Sequence, residues 1–487
     1  MEVYNTIARS KQTFTPKDPG RVGIYVCGPT TYNYIHLGNA RPLVFFDTVR
    51  RYFRYCGLEV NYVQNFTDMD DKIIKQSGEE NLLPRELANK YINEYYQDAD
   101  ALNVLRADHS PKVTEHIPEI IEMIEQLTEK GYAYQAEGDV FFEIGKFAGY
   151  GKLSGRNLDD MQAGARIDID PRKRHPMDFV LWKAAKPGEP SWESPWGSGR
   201  PGWHIECSAM SLKYLGPNFD IHGGGFDLVF PHHENEIAQS EGATGEPFVR
   251  YWLHNGFITV QEEKMSKSLG NFFMVRDILK QFPGELVRFF LLSTHYRSPL
   301  DFDNEKLEAA GRGLERIKTS YRLLTEALAK PVEPGETKDV AGAFSAKVDG
   351  FKKSFEEAMD DDFNTALAIG IFFDLTREVN TLVGHLGGVV TQEERTALNT
   401  AKEQFHSFNS VLAILRTNRD TGEIALDQGT DRDDGLTEGL LNLIGEIRQA
   451  ARAQKDWATA DRIRDGLKDL GIILEDTPDG VRWKKKN

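Results

Sequence analysis

The sequence predicts an α/β chain in which a parallel-sheet domain carrying an insertion is followed by a helical bundle and a small C-terminal domain. Three observations lead there. The run RVGIYVCGPT reads as a strand ending in a Gly-Pro turn, a helical apolar pattern follows over residues 43–55 with Gly57 behind it, and residues 58–63 read as a second strand. Two later strand patterns, 218–222 before Gly223-Gly224-Gly225 and 251–254 before EEKMSKSLGN, again end in loops. Past Asp303, a good helix cap, apolar residues at Leu307, Ala310, Leu314, Ile317, Tyr321, Leu324 and Leu328 mark one buried helical stripe.

The β-α-β order requires parallel pairing, and an open parallel sheet binds ligands outside the carboxyl ends of its strands. The first domain is therefore read as Rossmann-type over residues 1–302, with the loops at 27–36 and 67–71 around one crevice. Residues from about 103 to 201, which hold the strand-like GDVFFEI and the Pro, Gly and Trp-rich KPGEPSWESPWGSGRPGW, read as an insertion. KPVEPGET interrupts the helical region, which continues to about 415 and makes 303–416 a bundle. The polar stretch 417–434 reads as a linker, and 435–487 as a last domain with the basic tail RWKKK.

Composition bounds the function. With 487 residues, 40% of them hydrophobic, the chain exceeds what one core uses. Its 75 acidic against 59 basic residues leave a net charge of −16, so any nucleic-acid partner must be met by local basic patches. Cys27, Cys56 and Cys207 are too few for a disulfide framework, which leaves thiols for metal or chemistry and suits a reducing cytoplasm. No apolar run is long enough for a bilayer, and the start MEVYNTIARSKQTF lacks a signal-peptide core, so a cytoplasmic chain without membrane contact is expected.

Three constellations carry chemistry. His36-Leu37-Gly38-Asn39 opens a helix just after a strand, so His36 and Asn39 share one face and the helix N-terminus offers donors to phosphate, with Gly38 allowing close approach. Lys264-Met265-Ser266-Lys267-Ser268 is a basic loop of small residues whose ammonium groups suit charge on a leaving pyrophosphate. Cys27, Cys207, His232 and Glu236 come from three segments and together suit Zn²⁺, with His232 and Glu236 one helical turn apart. Taken singly, each has a plainer reading: a helix start, a solvated loop, a buried small thiol, a polar helix face. His233 rivals His232, since adjacent helical residues point about 100° apart and only one would face the ion. His222 and Asp227 flank the glycine turn, where Gly224 and a carboxylate suit a ribose, and Thr67 and Trp203 are candidates to complete a substrate pocket.

In this order, the two signatures resemble the HIGH and KMSKS motifs of class I aminoacyl-tRNA synthetases. CGPT, HLGNARP, NFTDMDDK, GWHIECSAM, HGGGFDL, FPHHENEIAQ, KMSKSLGN and MDDDFNTALAI are similar to the cysteinyl-tRNA synthetases across essentially the whole chain. The resemblance implies attack of the L-cysteine carboxylate on the α-phosphate of ATP, bound with Mg²⁺, and then transfer to tRNA(Cys). It implies Zn²⁺ on Cys27, Cys207, His232 and Glu236, selecting a thiolate over the hydroxyl of serine, and it selects His232 over His233. The ATP-contacting lysine of KMSKS carries over to Lys267, and the second histidine of HIGH is replaced by Asn39, which cannot carry charge. A monomer is the family expectation.

The last domain holds Arg448, Trp457, Asp461, Arg464 and Asp465 on an expected helix pair, a pattern that suits bases stacking on an aromatic ring with polar groups at their edges. A charged helix pair with a core Trp is the plainer alternative; the resemblance implies anticodon reading. Two other readings stay open. A cysteine:amino-sugar ligase of the mycothiol pathway shares such a core without the long terminal region, and a zinc-stabilised RNA-binding protein would have no catalysis.

Overall fold

In the computed structural model the described residues are all except 158–169, 261–262, 265–271, 336–338, 419–420, 426–433, 455, 470–471, 478–479 and 486–487. The chain divides into two compact units, Met1–Ile424 and Ala425–Asn487. Lys267, the side chain of Lys264, part of the expected linker and the end of the basic tail lie outside the described residues.

The first unit is built on a four-stranded sheet in the order Val249–Asn255, Phe219–Gly225, Arg21–Val26, Glu59–Gln64. All three pairings are parallel, as the β-α-β reading requires. The helix Leu37–Tyr55 starts six residues earlier than its apolar pattern. Its first turn has polar residues facing the crevice, and Pro42, which ordinarily marks a boundary, sits inside, unable to donate to the Gly38 carbonyl. Gly223 allows this helix to lie flat on the sheet: a Cβ there would come within 2.1 Å of the Phe46 ring.

The insertion carries a four-stranded antiparallel sheet, ordered Ala133–Ala136, Asp139–Phe142, Phe179–Ala184, Gly199–Pro201. It is not a separate lobe. Phe142, Leu181 and Trp182 from this sheet share one apolar core with Tyr25, Val63, Ile205 and Trp252 of the parallel-sheet layer. Burial at about 25 cal/mol per Å² is non-directional, so a core shared this way ties the insertion to the strand ends that form the crevice.

Four helices, Asn304–Leu328, Asp339–Asp360, Thr365–His385 and Gln392–Leu412, form the bundle. Asp303 caps the first by accepting from the Lys306 amide at 2.7 Å. Of its predicted stripe, Leu307, Leu314, Ile317, Tyr321 and Leu324 are buried, whereas Ala310 and Leu328 are half-buried at the margin. In the second unit, helices Asp434–Ala453 and Trp457–Asp469 precede an antiparallel hairpin, Ile472–Thr477 with Gly480–Lys485.

A buried ionic knot ties the bundle to the sheet. Asp47, in the middle of the helix Leu37–Tyr55, meets Arg50 at 2.6 Å, Arg51 at 2.7 Å and Arg288 at 2.8 Å, and accepts from the Leu105 amide at 3.0 Å. Arg288 in turn donates to the carbonyl of Leu412, at the end of the bundle. Burial would raise the Asp47 carboxyl, but the three guanidinium groups hold it well below the usual range. Its folded value lies under its unfolded one, so its contribution is complete above about pH 4 and is lost as the pH falls further. Asp47→Asn leaves Arg288 buried against a neutral partner and is expected to destabilise the first unit by about 3–5 kcal/mol at pH 7. Denaturant unfolding measured at pH 7 and at pH 3 should show a smaller difference between variant and parent at the lower pH.

Candidate active site

The carboxyl ends of the parallel strands bring the predicted groups to one place. The loop after Arg21–Val26 is pressed against the loop after Glu59–Gln64: the Gly28 amide donates to Asn65 Oδ1 at 2.9 Å, and the Thr31 amide to the Thr67 carbonyl at 3.1 Å. A Cβ on Gly28 would lie 1.6 Å from the Asn65 carbonyl oxygen, so only glycine fits there. A cavity of about 400 Å³ opens beside these loops. Of the residues singled out in the sequence, Cys27, His36, Gly38, Asn39, Trp203 and Asp227 line it, and so do Tyr34, Lys72 and Phe257, which sequence reasoning passed over.

Behind Cys27 lies a buried cluster of donors. The ligand atoms of Cys27, Cys207, His232 and Glu236 all fall within 4.8 Å of one another. Cys207 comes from the helix Trp203–Leu215, His232 from the short turn Val229–His233, and Glu236 from the helix Glu234–Thr244. Glu236 is fully buried and accepts from His222 at 2.8 Å and His232 at 3.0 Å. Burial alone would raise its carboxyl, but the two imidazoles hold it at about 2. Burial works against charge on His232 too, and the Glu236 carboxylate overrides it, lifting His232 to about 10. Between the thiols, 3.8 Å apart, Cys27 as donor lowers Cys207 to about 6 against its burial, while burial pushes Cys27 up. These shifts favour charge on Cys207, Glu236 and His232 and leave the cluster with an excess of negative charge. Two sulfurs, one nitrogen and one oxygen form a donor set that fits a borderline-soft divalent cation.

The helical step turns only one of the two adjacent histidines toward an ion; in the structure both rings reach the cluster. Phe230 stands at φ −141°, ψ 132° within Val229–His233, so the regular 100° step does not hold there. Both rings converge on Glu236: His233 Nε2 is 3.3 Å from the Cys27 sulfur, and Cys27, His222, His233 and Glu236 form a second overlapping group. His232 belongs to the group nearer the cavity, because its ring stacks on cavity-lining Trp203 at 4.4 Å. His233 is turned inward, its Nδ1 paired with His254 at 2.8 Å, and His254 with the Thr6 hydroxyl at 2.8 Å. Burial drives His254 down to about 3 and His233 well below its ordinary value, so this inner chain is neutral.

Other candidates sit differently from the sequence reading. His222 does not face the cavity; it is fully buried and committed to Glu236. Gly224 serves packing, for a Cβ would meet Leu228 at 2.9 Å and His233 at 3.1 Å. Thr67 is buried and donates to Glu206 at 2.9 Å, behind the cavity wall. In the second unit Trp457 is 56% exposed, Arg464 pairs with Asp461 at 2.9 Å and Asp465 at 3.0 Å, and Arg448 is buried.

Comparison with known proteins agrees with this geometry. Residues 13–312 match the family described as tRNA synthetases class I (C) catalytic domain, residues 354–416 the DALR domain, and residues 433–483 the cysteinyl-tRNA ligase anticodon binding domain. The chain is 68% identical to a cysteine–tRNA ligase of Pelotomaculum thermopropionicum and 65% identical to one of Desulforamulus reducens, with 100% of each chain covered in both cases. A methionyl-tRNA synthetase of Mycobacterium tuberculosis in complex with methionyl-adenylate shares the fold at a TM-score of 0.60 and 16% identity, over 81% of this chain and 92% of that one. A parallel sheet with the His36–Asn39 turn at one end, a cluster with two thiols beside it and these full-length matches lead to one assignment: the chain belongs to the cysteinyl-tRNA ligase family of class I tRNA synthetases.

Proposed function

We propose that this chain is a cysteine–tRNA ligase that activates L-cysteine with ATP and transfers the cysteinyl group to tRNA(Cys). The observation that carries the reading is the position of Cys27, a residue that belongs to both the cavity lining and the donor cluster. A substrate in the cavity therefore meets the cluster directly.

Activation is a displacement at the α-phosphorus by a carboxylate oxygen of cysteine, with pyrophosphate leaving and no protein nucleophile required. His36, Gly38 and Asn39 present the first turn of a helix to the phosphates, where the partial positive charge of the N-terminus acts without reorganisation. Lys264 and Lys267 are assigned to the charge of the departing pyrophosphate and Asp227 to the ribose hydroxyls. Mg²⁺ accompanies the nucleotide. Cys27, Cys207, His232 and Glu236 would hold Zn²⁺, which supplies a soft site for a substrate thiolate and so separates cysteine from serine. Shape alone separates near-isosteres by only about 1–3 kcal/mol. Trp203, stacked on His232, holds that ring in place, and Thr67 is tied to Glu206 behind the substrate pocket. In the terminal unit, exposed Trp457 is the stacking surface for an anticodon base, with Asp461, Arg464 and Asp465 as polar readers; buried Arg448 supports the helix pair instead.

Cysteine-dependent exchange between pyrophosphate and ATP is expected, with serine at least about 100-fold poorer in kcat/KM. No exchange with cysteine would exclude the ligase reading. Transfer to an amino sugar but not to tRNA would favour the amino-sugar ligase instead. Cys207→Ser is expected to weaken zinc binding by more than the roughly 10–100-fold that outer partners of a metal site contribute, and to erase the preference for cysteine in the same step. Metal analysis of the purified variant beside the two exchange rates checks it; full zinc with unchanged selectivity would remove Cys207 from the ligand set.

A further inference from the structure

The cavity wall at the nucleotide end is a thin structure. Residues 35–37 and 273–275 are joined by two backbone hydrogen bonds, Leu37 amide to Phe273 carbonyl and Val275 amide to Ile35 carbonyl, both 3.0 Å. Two strands of this length do not hold register by themselves. The segment matters because His36 lies in it and its ring meets that of Phe272 at 4.4 Å, both lining the cavity.

We propose that Arg276 is a positioning residue for ATP, holding this wall in register by bracing the face of Tyr34 against the helix Pro84–Ala101. Its guanidinium carbon stands 3.5 Å from the centroid of the Tyr34 ring, itself part of the cavity lining. From behind, the same guanidinium is held by Glu94 at 2.6 Å and Asp98 at 3.4 Å. Tyr91, Glu94 and Asp98 occupy successive turns of one helix face, and Tyr91 meets the edge of Tyr34 at 5.2 Å. Tyr34 is thus clamped between Tyr91 and Arg276; residues 35–37 follow directly on Tyr34 and residues 273–275 lead directly into Arg276, and these are the two short strands of the wall. Burial already raises the Asp98 carboxyl to about 6 in the presence of Arg276. Without the cation, two carboxylates would face each other beside the aromatic pair, and helix and wall would part. The planar guanidinium satisfies the stack and both acids at once, which a lysine ammonium cannot.

The inference deepens the ligase reading, and its test can be separated from it. ATP binding to the full chain by titration calorimetry needs no turnover of cysteine; the exchange assay then gives KM values for ATP and for cysteine. Arg276→Ala is expected to weaken ATP binding and raise KM for ATP by about 10-fold or more, with KM for cysteine within about 2-fold of the parent. Arg276→Lys should fall between, and Glu94→Gln should move KM for ATP in the same direction by a smaller factor. Adding Glu94→Gln to Arg276→Ala should cost nothing more, since both act through one contact. Equal losses toward both substrates, or unchanged ATP binding in a folded Arg276→Ala chain, would overturn the proposal. If Arg276→Ala does not fold, Glu94→Gln decides alone: no change in ATP binding refutes it. A parent chain that binds ATP but shows no cysteine-dependent exchange would defeat the ligase reading while leaving the calorimetric comparison decisive here.

Discussion

A carboxylate with no access to water must be surrounded by donors, and the first unit is arranged around that requirement at Glu236. An isolated buried charge costs several kcal/mol even after relaxation, so the fold is stable only if His222 and His232 arrive together. His222 belongs to the second strand of the sheet and His232 to a turn between strand and helix. Bringing them to one carboxylate fixes how the helix Glu234–Thr244 meets the carboxyl ends of the strands. The two thiols are placed by the same packing, Cys207 from a neighbouring helix and Cys27 from the end of Arg21–Val26. Glu236 and His232, which hold the fold at this point, are also two of the four proposed metal ligands.

The helix Leu37–Tyr55 joins this end of the sheet to the rest of the unit. Its first turn faces the cavity with Gly38 and Asn39, its middle packs Phe46 over Gly223, and Asp47 beside that ring enters the arginine knot that reaches the bundle. Buried Arg41 from the same helix donates to the carbonyls of Gly256 and Phe257, both at 2.9 Å, which form another part of the cavity wall. A single rigid rod thereby sets the His36–Asn39 turn, the cavity wall and the junction with the bundle, so a substitution at Asp47 or Arg41 reaches the cavity without lining it.

Much of this is readable in the sequence because alternating and helical apolar patterns survive in each element. The parallel sheet follows from strand-loop-helix order, and Cys27, Cys207 and Glu236 stand out by residue type. Other parts leave no such trace. His222 sits beside a glycine run that suggests a ligand turn, whereas Gly223 and Gly224 are small to admit Phe46 and His233, a contact made across the fold. His254 is a single polar residue at a strand end, and its chain to His233 and Thr6 exists only once distant segments meet. His232 and His233 are separable by the helical step only where a regular helix is present, and at Phe230 it is not. The insertion is marked in the sequence only by its loop-rich stretch, and the core that it shares with the sheet joins residues as distant as Tyr25 and Phe142.

Selection of cysteine by sulfur coordination is the central claim, and X-ray absorption at the zinc edge tests it most directly. The zinc-loaded protein should show a first shell with two sulfur neighbours, from Cys27 and Cys207. Saturation with L-cysteine should add one sulfur to that shell, and serine should add none. An unchanged sulfur count with bound cysteine would contradict the claim and place discrimination elsewhere in the pocket.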